Sequence, residues 1–514
     1  MRRCLLFLSL VLSMLIASPA LALDLDVSGS LQFEGVYNEK ATLQKSDRPD
    51  SYREMRLRVL TEAQVTDKIK LIARFDALDK VLSSRDSAFD NNEDDDNIDF
   101  DRAYAEIITP VGLLSIGRMQ GVVWGTSWSD DETDTDRIKL VTPIPIGTNK
   151  LYIGAVAEKV DELDKGVEES NKDNNKYYIG ATYQTPTYRT GLLTAFYHFN
   201  TFQDPEQRVK TANYTEKAAT LTEATNNVAA ATGVRNVAYG VYGPTSPQGV
   251  GAQAALDAAT AVQVSADTAN TAAFTDLALL QLNQGVTTQA KVFLLAPYFD
   301  GKFGPLGITT ELDYVFGESE YDANNTTRDI AAYSYFAEAR YDIGPVTAEA
   351  GYAYTMGKAD LESGDIENMA YVAPGADWAK AFILTGDEHG MNSTMGGGLG
   401  NLVGDGFAGH YRAALDGYSM FYLGANYTCL NDTLTLGALI ATSKADDTPA
   451  GVDDDHGIEY DLTLSWKIWD NLVYSGVAAY LQAGDYWSER ANDLGLPSDG
   501  EDTYAFYHKL ELFF

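Results

Sequence analysis

The chain is nearly without cysteine. Cys4 lies in an N-terminal leader and Cys429 stands alone after it. No internal disulfide and no thiolate metal cluster can form, and Cys429 reads as a small apolar wall residue. Positive charge is also scarce: 38 Lys and Arg face 74 Asp and Glu, a formal net charge of −36. Nucleic-acid binding needs clustered Lys and Arg, so that class is excluded. After the leader, no apolar run reaches the length of a membrane helix. There is no G-x-S-x-G, no H-E-x-x-H and no phosphate-binding loop. Of five histidines, His389 and His410 share a stretch with Asp387, Glu388 and Asp405. Their spacing matches no known ligand pattern. No cofactor is expected. Calcium would go to the acidic runs Asp94–Asp96, Asp130–Glu132 and Asp453–Asp455. These lack the fixed spacing of a calcium loop and read by default as solvated, mutually repelling charge.

What is present begins with the leader. Arg2 and Arg3 precede the apolar run Leu5–Ile16, and Ala17-Ser-Pro-Ala-Leu-Ala22 follows. This is the pattern of a secretory signal peptide over residues 1–22, with the mature chain expected from Leu23. Beyond it, apolar and polar residues alternate in segment after segment. In 52–66, Met55, Leu57 and Val59 share one face, and Glu54, Arg56, Arg58 and Glu62 the other. After the turn at Thr66-Asp67-Lys68, Leu71, Ala73 and Phe75 alternate with Lys70, Arg74 and Asp76. Buried soluble sheets do not carry charge on every second position of successive strands. A closed barrel with lipid outside and water inside does. Tyrosine, 31 residues against 6 Trp and 20 Phe, suits a lipid–water boundary.

Segments of this kind number about eighteen, with sixteen or twenty as the alternatives if a hairpin is miscounted. The expected fold is therefore all-β: a transmembrane antiparallel β-barrel forming one domain over 23–514. Short connections fall on one side and long ones on the other, expected to be periplasmic and extracellular. Two long extracellular insertions are expected, at 204–288 and 358–415. The first is rich in Ala, Thr, Asn, Gln and Val and is expected to be partly helical, over 213–231 and 252–282, around a Gly/Pro-rich centre at 240–251. A tight turn is expected over 143–149 and another over 185–190.

The last twelve residues place Tyr504, Phe506, Leu510, Leu512 and Phe514 on one face, and Thr503, Ala505, Tyr507, Lys509 and Glu511 on the other. This stretch resembles the closing strand of bacterial outer-membrane β-barrels, which ends in an aromatic residue. The resemblance implies that Phe514 is an assembly signal read by the barrel-assembly machinery. A second likeness lies at Phe100-Asp-Arg-Ala-Tyr-Ala105 and at Leu113–Gly125, which contains Gly117-Arg118 and Trp124-Gly125. These resemble the general bacterial porins, where an Arg-bearing strand, a turn and a strand ending Gly-Arg precede the loop that folds into the pore. The corresponding loop here, 121–136, is shorter than the family's constriction loop. The C-terminal part, with Asp470-Asn-Leu472 in a turn and Gly484-Asp485 after a strand, is more weakly similar to large barrels of the alginate-export type.

By parity, Arg56, Arg58, Lys70, Arg74 and Arg102 point into the lumen from the second to fourth strands. Later strands contribute Glu311, Asp313, Glu338, Glu349, Glu459 and Asp461, with Arg340, Lys467 and Lys509 as exceptions. A basic wall facing an acidic wall would set a transverse field across the channel. Alternatively, these charges pair with neighbours on adjacent strands and leave little field. Porin likeness adds Arg118, Asp130, Asp131 and Glu132 to the expected constriction, although Arg118 shares parity with Leu114 and Ile116 and turns inward only at a bulge or strand end.

What the resemblance implies is a water-filled outer-membrane channel for passive diffusion of small hydrophilic solutes or ions. Its surroundings would be outer-membrane lipid and lipopolysaccharide, the latter bridged through divalent ions at acidic loops, and a homotrimer is one assembly to consider. A channel for an acidic polysaccharide is the alternative, and needs a continuous basic lumen. A barrel enzyme would need a convergent catalytic set, which the sequence does not supply. An adhesive barrel would rest on the long insertion alone.

Overall fold

Two-residue alternation builds the molecule, and the strands it marks pair in sequence order. The computed structural model describes residues 24–40, 43, 45, 49–82, 98–121, 123–128, 130, 134–162, 173–202, 205–284, 288–321, 326–358, 364–367, 378, 380–385, 416–493 and 499–514. The leader and the run Asp94–Asp96 lie outside them. Eighteen strands follow in order: β1 (Asp24–Asn38), β2 (Asp50–Thr66), β3 (Ile69–Val81), β4 (Ile98–Thr109), β5 (Gly112–Gln120), β6 (Asp134–Ile146), β7 (Asn149–Asp161), β8 (Asn174–Gln184) and β9 (Tyr188–Phe202). The second half comprises β10 (Thr288–Phe303), β11 (Leu306–Tyr321), β12 (Thr326–Ile343), β13 (Val346–Thr355), β14 (Tyr418–Cys429), β15 (Leu434–Lys444), β16 (Asp455–Trp469), β17 (Leu472–Ala483) and β18 (Thr503–Phe513). Each pairs antiparallel with the next, and β1 pairs with β18, so the sheet closes on itself.

Closure removes both sheet edges and satisfies every ladder within the wall, which is what a strand-built object in lipid must do. At the seam, Gly29 and Phe514 exchange backbone hydrogen bonds of 3.0 Å each. The outward face is apolar along its length, with Phe293 and Leu295 on β10, Leu423 on β14 and Phe506 on β18 exposed. Trp466, Trp469, Tyr341 and Tyr427 stand exposed towards the tight-turn end, where amphipathic rings suit an interface. Gly304 and Gly344 each precede a proline in those turns and hold φ of +63° and +60°, a left-handed backbone that favours glycine.

The turn expected over 143–149 is much shorter. β6 continues through Pro143 and Pro145 to Ile146, opposite Tyr152 and Lys150 of β7. Its other neighbour, β5, ends its pairing at Val141. The prolines therefore lie where β6 is paired on one side only and a missing N–H is tolerated. The turn expected over 185–190 likewise narrows, because β9 already begins at Tyr188.

The insertion between β9 and β10 forms two helices, α1 (Pro205–Tyr242) and α2 (Pro247–Gln284), longer than composition alone marked. Their extensive packing is on each other. Threonine, a middling helix former, is accommodated because its hydroxyl bonds back to the i−4 carbonyl, as Thr222 does to Ala218 and Thr260 to Leu256. β9 and β10 pair directly, so the wall is unbroken beneath the insertion.

Candidate functional site

Most lumen-facing cations of the first strands form a ladder in which each holds a carboxylate. Arg58 grips Asp76 with two bonds of 2.8 Å. Arg74 Nε donates to Asp101 at 2.7 Å and its Nη2 to Asp134 at 3.1 Å. Arg102 Nε reaches the other oxygen of Asp134 at 2.6 Å. Arg58 also lies 3.9 Å from Asp101, so Arg58, Asp101, Arg74, Asp134 and Arg102 run as an alternating chain. Lys70 pairs with Glu62 at 2.9 Å, Arg137 pairs with Glu158, and Arg56 stands opposite Gln32. Parity identified the arginines and missed Asp101. Adjacent residues of a strand face opposite sides, yet Asp101 and Arg102 both reach ladder partners. The register shift of β3 against β4 between Arg74 and Asp76 explains this.

Arg118 is corrected. It stands on the outward face with Ile116, half exposed, 3.6 Å from the exposed Asp136. The β4–β5 pairing runs through it without a bulge, so nothing turns it inward.

Carboxylates of the later strands do face inward, but most are covered rather than lining. The segment after β5 crosses to the far wall. Trp124 Nε1 donates to the Ala296 carbonyl of β10 at 2.9 Å. The Thr126 N–H donates to Glu311 of β11 at 2.6 Å, and Trp128 Nε1 to Ser334 of β12 at 3.2 Å. The Trp128 ring stacks on Phe336, with centroids 5.6 Å apart. Asp130 accepts from the Trp124 N–H at 2.6 Å and closes the segment's turn. Gly125 permits the approach: its φ is +70°, and a Cβ there would lie 2.5 Å from Glu311 Oε2. Asp131 and Glu132 lie outside the described residues.

A second segment, from the connection between β13 and β14, covers the rest. Phe382 N–H donates to Asp461 at 3.0 Å. Ile383 and Leu384 N–H groups donate to the two oxygens of Glu459 at 2.5 and 2.8 Å. Lys380 pairs with Glu338 at 2.6 Å and approaches Glu349 to 3.6 Å. Trp378 meets Trp128 edge-on at 4.7 Å, which joins the two inward segments. Glu311, Asp313, Glu338, Glu459 and Asp461 are all buried. Each of these backbone N–H groups finds its acceptor in a buried acidic side chain, so these residues hold the inward segments in place. Of the two readings that parity left open, a transverse field and pairing between adjacent strands, the ion pairs match the second. One wall is internally paired, and most of the other lies beneath folded-in chain.

Nothing in the sequence advertised this use of the acidic residues, since their partners are backbone groups with no side-chain signature. The shared parity of Glu459 and Asp461 was the available hint.

Over the long-loop end sits a short helix, α3 (Asp485–Asp493). Its Arg490 is buried and grips Asp416 with bonds of 2.6 and 2.8 Å. Tyr486 Oη donates to Asp416 at 3.0 Å. Burial pushes the Asp416 carboxyl up to about 7, and Arg490 opposes that rise.

His389, His410, Asp387, Glu388 and Asp405 lie outside the described residues. Among the described residues no group of three or more His, Cys, Asp or Glu converges. In the run 453–455, Asp454 pairs with Lys444 at 2.8 Å, while Asp453 and Asp455 accept backbone N–H groups.

Among solved structures, the chain is similar to Acinetobacter baumannii OccAB4 at 10% identity, over 95% of this chain and 98% of that one, with TM-score 0.47. It is similar to Pseudomonas aeruginosa OccK9 (OpdG) at 12% identity, over 95% and 98%, with TM-score 0.47. Pseudomonas aeruginosa OccK8 (OprE) aligns at 10% identity, over 96% and 98%, also at 0.47. Among curated proteins none matches the chain. The model of the Gram-negative porin family matches residues 9–296, more than half of the sequence. The chain therefore belongs to the Gram-negative porin family, as an eighteen-stranded outer-membrane barrel through which small hydrophilic solutes diffuse passively.

Proposed function

We propose that solutes pass between the arginine–aspartate ladder of β2–β6 and the two inward segments, 121–130 and 378–385, and that this gap is the filter. The observation that carries the reading is the crossing of 121–130 from the ladder side to Glu311 and Ser334 on the far wall. The crossing narrows the lumen on the side away from Arg58, Arg74 and Arg102. Each of these guanidiniums is already compensated, so the gap presents alternating dipoles more than a single-sign field. Such a lining suits small polar or zwitterionic solutes. An acidic polysaccharide needs uncompensated positive charge along its path, and the interleaved Asp76, Asp101 and Asp134 oppose that reading.

In this reading the tight turns face the periplasm, and the ends carrying α1–α2 and 358–415 face outward. The test is single-channel recording with an Arg74→Gln/Arg102→Gln variant. The expected result is altered ion preference with the barrel's open conductance retained. Reversal potentials identical to wild type would place the filter elsewhere.

A further inference from the structure

The hairpin of α1 and α2 is apolar where a free-standing hairpin would be polar. Each helix has 38 residues, so at about 1.5 Å per residue the hairpin extends roughly 57 Å. The α1 residues most buried in the seam are alanines, Ala224 and Ala238, while larger apolar side chains face away. Val234, Val237 and Val241 are 62%, 66% and 66% exposed. Their spacing of three and four places them on one face of α1. Val250 and Val262 of α2 are exposed in the same distal half, beyond the level where Gln263 bonds Thr225. A stable pair of helices buries its larger apolar residues between the two. Here Leu256, Leu277 and Leu280 of α2 fill the seam, whereas the valines of α1 remain outside, as on one part of a larger bundle.

Charge identifies the occupant. In a chain of net −36, residues 224–242 and 247–266 carry only Arg235 and Asp257. Arg235 bonds the neighbouring Asn236, and Asp257 accepts from Gln253. Neither forms an ion pair among the described residues. An acidic or basic partner would find no complementary field on this segment. A second copy brings the same valines and one charge of each sign, so both the apolar face and the charges balance. We infer that the distal half of the hairpin docks against the same segment of a second copy of this chain, forming a helical bundle above neighbouring barrels.

The test uses the full chain in isolated outer membranes, in a Cys429→Ser background. Val237→Cys places one thiol on the valine face. Ala229→Cys places one on α1 where Ala229 is exposed and out of phase with the valines. Mild oxidation should link copies through Val237→Cys at least ten-fold more than through Ala229→Cys. Adding Val234→Asp and Val241→Asp should abolish the link. Heat-modifiable mobility checks that the barrel has folded in each variant. Equal linking at both positions would overturn the inference. So would a Val237→Cys thiol that reacts with a maleimide but never links.

Discussion

Glu459→Ala is the sharpest perturbation of the inward fold. Glu459 receives the N–H groups of Ile383 and Leu384, one on each oxygen, in a fully buried site. Alanine removes both acceptors and leaves two donors facing a dry wall. Each stranded donor costs about 1–3 kcal/mol, so the folded-in position loses about 2–6 kcal/mol. A contrary effect exists, because Glu459 and Asp461 sit two residues apart on one face and their repulsion disappears with the carboxylate. That relief stabilises the strand in both positions of the segment and restores no acceptor, so the inward position still loses. The population with 378–385 released from the wall should rise by roughly thirty-fold to twenty-thousand-fold. The barrel should persist, because β16 keeps its ladders to β15 and β17. In planar bilayers the variant should show larger and noisier unitary conductance than wild type. Added protease should also cut near 380 in the variant and not in wild type. Unchanged conductance, noise and cleavage would refute the idea that these carboxylates hold the segment.

Three further outcomes are expected. Arg102→Gln leaves Asp134 to Arg74 alone and should shift reversal potentials towards cations, an effect that shrinks at high salt, where screening shortens to about 3 Å at 1 M; Arg118→Gln, on the outer face, should leave them unchanged. Asp416→Asn removes one of the two carboxylates that Arg490 holds, leaving Asp493, and should weaken the α3 cap by about 1.5–3 kcal/mol, read as faster proteolysis around 485–493 with the barrel intact. Deleting Phe514 removes the pair of bonds to Gly29 and should lower the amount of folded, heat-modifiable protein in the membrane; unchanged insertion would reduce Phe514 to a packing residue.

The wall was largely legible because strand parity is a local property. The eighteen strands match the number that alternation alone implies, and Arg58, Lys70, Arg74 and Arg102 face inward as their positions require. What escaped was non-local. Pro143 reads as a turn until the early end of β5 pairing is known. Asp101 has outward parity until the bulge on its own strand, β4, is seen. Glu459 and Asp461 look like pore-lining charge until the backbone of 382–384 meets them from a connection far away in sequence.

The seam between β1 and β18 has a temporal meaning as well as a geometric one. Ser30 meets Phe513, so the partners are separated by nearly the whole chain. Loop-closure entropy is greatest for such pairs, and they form late. Until that moment the growing sheet carries two open edges, each able to pair with a neighbour of its own kind. The most vulnerable interval of assembly therefore comes just before the ring closes. A chaperoned path that holds β1 ready for β18 would shorten the interval more than any strengthening of the strands between them.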